Sequence, residues 1–313
     1  MVAPTVYKST DSSAPTISGT AGDLIAALYA ILVTGYGSKA AAGWTRPYTG
    51  TNKAVFQQGG GLGRCLRIDD SNAFSARPSL YTTMTSVDAG DHLAPAGTLP
   101  YWHKSTVSSS TQRPWVCLAT AQTFYLIILA NLTSLGNGDG GDSHCACGDF
   151  VDPAPACGLS RTFLIGAITT TPATSFSYSQ HVLVSNGTTI NGHYAIGDIS
   201  GFVLGNTHPF GKRACGSNSS PPISGLSTLV AYPDGPTGGL NISRFLAIGP
   251  QGSYNWLGWM PGLWFVHHEP TTLTSLDTFT GASGQDIDGN SFLIVRTGGA
   301  SGLLVFQTDG GWS

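Results

Sequence analysis

The sequence predicts a mainly β protein: an antiparallel β-sandwich or barrel-like body, one N-terminal α-helix over about residues 20–34, and a C-terminal β hairpin or small module. Two observations predict it. Short apolar runs, rich in aromatic and β-branched residues, are cut by Gly, Pro, Asn, Asp and Ser about every ten positions. Only one stretch shows helical spacing instead. The 42 Gly and 18 Pro among 313 residues supply the punctuation that many short strands require.

The helix comes first. Thr20 stands three residues before Asp23, a capping-box-like pair with Asp where Glu or Gln is usual. Leu24, Leu28 and Ile31, flanked by Ile25 and Leu32, then recur on one helical face. Gly35 and Gly37 end the run. Beyond it, strand-like runs fall at 54–57, 65–69, 115–119, 124–129, 163–168, 181–184, 202–204, 227–232, 245–248, 262–266, 292–295 and 303–307. Three strand ends are alike, Phe163–Gly166, Tyr194–Gly197 and Phe245–Gly249, but their irregular spacing excludes a repeat architecture. Residues 136–156 and 211–225, dense in Gly, Asp, Ser and Pro, read as long loops. The resulting division is a docking segment at 1–45, a β-rich body at 46–269 and the C-terminal hairpin or module at 270–313.

Charge narrows the function. Asp, Glu, Lys and Arg make up 10% of the chain, against about 25% in ordinary soluble domains. Solitary proteins use mixed surface charge to resist association, whereas interface cores are depleted of it. Such a chain suits a multi-copy assembly, or a secreted β protein with a hydroxyl-rich face. The net charge of −3, with no cationic cluster denser than Arg64-Cys65-Leu66-Arg67, argues against nucleic acid as a partner. No basic and apolar leader follows Met1, and the apolar run from Leu24 to Val33 is too short to span a bilayer. Synthesis in a cytosol without membrane insertion is the expectation.

Several blocks together resemble a family of tailed-bacteriophage virion structural proteins. They are Thr5-Val6-Tyr7-Lys8-Ser9-Thr10-Asp11-Ser12-Ser13-Ala14-Pro15, the run from Gly35-Tyr36-Gly37 to Gly43-Trp44-Thr45, and Tyr48-Thr49-Gly50-Thr51-Asn52-Lys53-Ala54. Leu66-Arg67-Ile68-Asp69-Asp70, Tyr101-Trp102-His103-Lys104-Ser105, Arg113-Pro114-Trp115, Gly258-Trp259-Met260-Pro261-Gly262-Leu263-Trp264 and Asp277-Thr278-Phe279 continue the likeness. It is densest over 5–125 and 245–313, while 136–155 and the surroundings of Cys215 depart from the pattern. The resemblance implies a virion component of the tail, baseplate or head surface, assembled in the host cytoplasm, whose partners are copies of itself and neighbouring virion proteins. It carries over no catalytic residue. On this reading the N-terminal segment docks on a neighbour through Leu24, Leu28, Ile31, Tyr36 and Trp44. The alternative is a tail or fibre module that binds a receptor or host surface glycan through the loops at 136–156 and 211–225. A particle-borne hydrolase is the third reading.

The chemistry-bearing candidates are few, and no enzyme activity or cofactor is expected. Six cysteines occur, at 65, 117, 145, 147, 157 and 215. His144, Cys145, Cys147 and Cys157 bring one imidazole and three thiols together, a zinc-type donor set, although Cys-x-Cys is tighter than the usual knuckle. Disulfides and free buried thiols are the competing readings, and adjacent Cys145 and Cys147 would need different partners. Acidic strings at 137–142 and 286–290 offer oxygen donors for calcium but complete no EF-hand, and Asx-Gly turns are the commoner explanation of such strings. His267-His268-Glu269 lacks the His-Glu-x-x-His order of a zinc protease, and the Gly-rich 57–64 lacks the lysine of a phosphate loop. Asp69 and Asp70 are neighbours on a strand and so face opposite ways, which denies them a joint glycosidase role. Tyr254, Trp256, Trp259 and Trp264 form either a core or an interface and sugar-stacking platform.

Overall fold

A computed structural model describes residues 3–92, 101–129, 142–151, 162–167, 193–195, 242–248, 256–266, 275–281, 289–296 and 303–312. The protein is mainly β, with three antiparallel sheets, one short helix and no closed barrel among the described residues. Expected strands at 181–184, 202–204 and 227–232, and the loop at 211–225, lie outside the described residues.

The chain begins with β1 (Thr5–Lys8), then α1 (Asp23–Tyr29), which widens into a π-helical turn at Ala30–Thr34. Five strands follow: β2 (Thr45–Gly50), β3 (Lys53–Gln57), β4 (Cys65–Asp69), β5 (Ser75–Met84) and β6 (Gly90–His92). They form one sheet in sequence order, with β7 (Trp102–His103) paired to the start of β5. Next come β8 (Trp115–Ala119), β9 (Phe124–Ile128), β10 (Ser143–Asp149), β11 (Thr162–Ala167) and β12 (His193–Ala195). With β1 at one edge these make the second, central sheet, in the order β1-β8-β9-β10-β11-β12. The third sheet holds β13 (Ile242–Ile248), β14 (Trp256–Val266), β15 (Thr278–Thr280), β16 (Ser291–Arg296) and β17 (Leu303–Gln307), ordered β13-β14-β17-β16-β15.

Strands β8 to β11 of the central sheet are buried on both faces over their described residues. Trp115, Cys117, Ala119, Phe124, Leu126, Ile128, Cys145, Cys147 and Leu164 point into a core shared with α1 and with Ala54, Phe56, Leu66, Ile68 and Leu80 of the first sheet. Their alternates, Val116, Leu118, Tyr125, Ile127, Ala146, Phe163 and Ile165, pack against Met260, Leu263, Leu293, Val295, Leu304 and Phe306 of the third. Side chains alternate across a strand, so burial on both sides demands an unbroken apolar run. Trp115-Val-Cys-Leu-Ala119 and Phe124-Tyr-Leu-Ile-Ile128 are such runs, and all ten residues are buried.

The structure corrects several expectations. The helix starts at Asp23 rather than at residue 20 and has no Thr20–Asp23 capping box: its N-cap is Gly22 at φ +89°, without a side-chain cap. The left-handed φ there favours a residue with no Cβ. At the other end, Gly35 has φ +75°, and a Cβ on it would lie 2.4 Å from the Lys39 carbonyl oxygen. The carbonyls of Ile31 and Leu32 accept backbone bonds from Ala42, Gly43 and Trp44 as the chain returns. Residues 143–149, expected inside a long loop, form a strand bonded to β9 on one side and β11 on the other. Ser, Ala and Gly fill it because it lies between two sheets, where room is short: a Cβ on Gly148 would meet the Thr123 side chain at 2.1 Å.

β1 is built into the central sheet against β8, and β14 pairs with β17 in the third sheet. Leu24, Leu28 and Ile31, expected to dock on a neighbour, are fully buried in the chain's own core, and Trp44 is nearly so. An amphipathic helix buries its apolar stripe on the nearest apolar surface, and the first and central sheets provide it.

Burial on both faces has a measurable signature. Leu126→Ala and Ile127→Ala, neighbours that face opposite cores, should each lower the unfolding free energy by about 2–5 kcal/mol in urea titrations. A near-neutral result at either position would mean that one face of β9 is open to solvent.

Candidate functional site

The cysteine cluster is not a metal centre among the described residues. Ser143 to Asp149 is one strand, so His144 faces away from Cys145 and Cys147. Both cysteines point into the core shared with the helix, and Ala146 points into the other. No group of three or more His, Cys, Asp or Glu is placed to hold a metal among the described residues. Disulfides are equally absent there, because Cys65, Cys117, Cys145 and Cys147 are free and buried. Cys117 and Cys145 flank Leu126 from β8 and β10, two strands apart at roughly 9–10 Å, beyond the reach of a disulfide. Burial pushes the Cys145 thiol up to about 12 and those of Cys117 and Cys147 well above their ordinary value, so all three stay protonated and unreactive. Cys157 lies outside the described residues.

The aromatic group is divided between core and sheet junction. Trp264 is buried, edge-on to Phe292 with ring centroids 5.8 Å apart. Trp259, half-buried, exchanges two backbone hydrogen bonds with Val151 (2.9 and 2.7 Å) and so joins the end of β10 to β14. Trp256 stands opposite Ile248 on β14, and Tyr254 is outside the described residues. The N-terminal aromatics are also tied inward. The Tyr36 hydroxyl donates to Asp11 Oδ2 (3.0 Å), and Trp44 Nε1 donates to the Thr120 carbonyl (2.8 Å). The Gly-rich stretch is a turn between β3 and β4, fixed by Gln58 Nε2 on the Gln122 carbonyl and by the Leu62 amide on Asp149.

The densest chemistry lies where sequence reasoning placed none. Asp70, the residue after β4, and Lys104, the residue after β7, form an ion pair with both side chains fully buried. Asp69 and Asp70 do face opposite ways: Asp69 meets Arg67 and Ser71 at the surface, while Asp70 turns inward. Asp70 Oδ2 accepts the Leu24 amide (2.9 Å), doing for α1 what its N-cap does not. The Asp70 carbonyl accepts the Gly22 amide, and the Asp70 amide donates to the Asn52 carbonyl. Lys104 Nζ also donates to the Thr20 carbonyl (2.6 Å), and its amide donates to the Phe74 carbonyl. One ion pair therefore joins the start of the helix, two strand ends and the β2–β3 turn. Burial pushes the Asp70 carboxyl up to about 6, overriding the opposing pull of Lys104 and the Leu24 amide. The sequence signals were a lysine directly after the aromatic run Tyr101-Trp102-His103 and an inward-facing Asp beside an outward one.

Neither a protein-family model nor a curated protein matches the sequence. Among the described residues no helix is long and apolar enough to cross a membrane.

Two outcomes follow from the buried charges. Asp70→Asn or Lys104→Met alone strands one buried polar partner and should cost about 3–5 kcal/mol in chemical denaturation. The double variant should recover much of that loss, and a double variant as unstable as the sum would disprove mutual compensation. The second concerns pH. Burial pulls His103 down to about 4, so between about pH 6.5 and 4 the unfolded chain takes up a proton that the folded chain refuses. That contribution to stability is complete above 6.5 and is lost on acidification, up to about 3 kcal/mol. Asp70, with its folded value raised, acts in the opposite sense, adding stability as pH falls through 6. Unfolding titrations of His103→Gln should therefore show stability that rises from pH 7 towards 5, against a flatter or falling curve for the unsubstituted protein.

Proposed function

We propose that the chain is a structural component of a tailed-bacteriophage particle, acting without catalysis through multi-copy assembly on the tail, baseplate or head surface. The observation that carries this reading is where its scarce chemistry goes. With charged residues at only 10% of the chain, Asp70, His103, Lys104, Arg113, His144, Cys145 and Cys147 are buried, while Arg77, Asp88, Asp91 and His92 are exposed without forming a cluster of metal-type donors among the described residues. Asp70 and Lys104 hold elements together rather than lining a reaction site. A sparsely charged exterior favours association with like surfaces. The resemblance of the N-terminal and C-terminal blocks to virion structural proteins supports the same assignment. Symmetric repetition is how such particles are built, so the chain is a homo-oligomer in the particle.

The interface is not the apolar face of the helix, which the protein itself covers. Deleting residues 1–35 would remove β1 and part of the core, so lost incorporation in that variant would report misfolding as readily as lost docking. Quantitative mass spectrometry of purified particles avoids this ambiguity. The expected result is the chain present in small multiples of three or six for a tail or baseplate protein, or in hundreds for a head protein. Its absence from particles would remove the structural reading. Normal particles that fail to adsorb when exposed loops are shortened would favour the receptor- or glycan-binding module instead.

A further inference from the structure

We propose that Asp70 and Lys104 condense within the folded protein to an isopeptide bond, joining Lys104 Nζ to Asp70 Cγ. Three structural features support this. First, the reacting groups are already together: the ammonium and the carboxylate are in contact, and both side chains are fully buried. Reactants held in this way reach effective concentrations that no bimolecular encounter provides. Second, the backbone on each side is fixed independently of the pair. Asp70 is held by Asn52 and Gly22, and Lys104 by Phe74, so neither group needs to move far to react. Third, the two carboxylate oxygens are differentiated. Oδ2 accepts the Leu24 amide at 2.9 Å, while Oδ1 faces Lys104 Nζ.

The chemistry balances without any further reagent. A proton passes from the Lys104 ammonium to Asp70 Oδ1 across their contact, giving a neutral amine beside a neutral carboxylic acid. Burial holds the Asp70 carboxyl well above the ordinary carboxylate range, so the protonated acid is accessible inside the fold. The amine lone pair then attacks Cγ. Charge develops on Oδ2, where the Leu24 N–H is in place to stabilise it. The Thr20 carbonyl accepts an Nζ–H bond at 2.6 Å and so orients the amine. The C–Oδ1 bond breaks, and Oδ1 leaves as water with one proton from the exchange and one from the nitrogen. Acid and amine become an amide and one water, with no change of oxidation state, so the titration and mutual compensation described above belong to the uncondensed pair. The driving force is local: two desolvated charges, expensive inside a protein, become one neutral amide. The resulting cross-link would close the chain from residue 70 to residue 104, restricting the unfolded state as a disulfide does but without depending on redox conditions. The described cysteines are free, and Cys117 and Cys145 are out of reach of one another.

The test is the intact mass of the full chain, folded, incubated and then denatured. The expected mass is lower than that of the sequence by one water, and peptide fragmentation should find the Asp70 peptide joined to the Lys104 peptide. Lys104→Arg keeps the positive charge but lacks the amine, and Asp70→Ala lacks the carboxyl; both should show the full mass. A chain held unfolded throughout should also keep its full mass, because the bond requires the folded contact. Should a variant fail to fold, the fragmentation of the unsubstituted protein still decides. Full mass after prolonged incubation of the folded chain, or a water loss mapped to any other site, would overturn the proposal.

Discussion

A sheet covered on both faces can expose neither set of its alternating side chains, and this constraint shapes most of the molecule. β8 and β9 meet it with unbroken apolar runs. β10 meets it with small and sulfur-bearing side chains, which fit where the layers lie close. The first sheet and helix must cover one face and the third sheet the other, so three segments far apart in sequence assemble around one core layer. Antiparallel sheets commonly leave one face to solvent, and an extra layer removes that option.

Covering the sheet with a helix creates a second problem, because the helix begins in the interior. The Asp23 amide reaches back to the Thr20 carbonyl (3.3 Å), but Gly22 offers no side chain for the Leu24 amide. Asp70 supplies the acceptor from another element, and its charge then needs Lys104. A buried ion pair contributes little net stability against well-packed apolar groups, but it tolerates few alternative arrangements. Here it fixes where the helix starts relative to β4 and β7.

The same packing explains why residues suggestive of chemistry in the sequence are structural in the fold. A His and two Cys within four positions suggest a metal loop, but as a strand they divide between two cores. Four aromatic residues, Tyr254, Trp256, Trp259 and Trp264, suggest a stacking platform in the sequence, yet Trp264 is core and Trp259 is bound through its backbone at a sheet junction.

The sequence by itself determined the mainly β class, the single helix with Leu24, Leu28 and Ile31 on one face, and the principal strands β3, β4, β8, β9, β16 and β17. Each of these rests on local periodicity, which acts over a few residues and is legible without knowing the neighbours. Only the tertiary structure decided that β10 is a strand, since its Ser, Cys, Ala and Gly carry little strand preference and take their ladder from β9 and β11. It alone decided that the helix face is internal, that the acceptor for the Leu24 amide comes from residue 70, and that Lys104 is buried. Those outcomes depend on which distant segments share a volume. Sequence spacing does not encode that volume, because burial and pairing are properties of the surroundings and not of the residue.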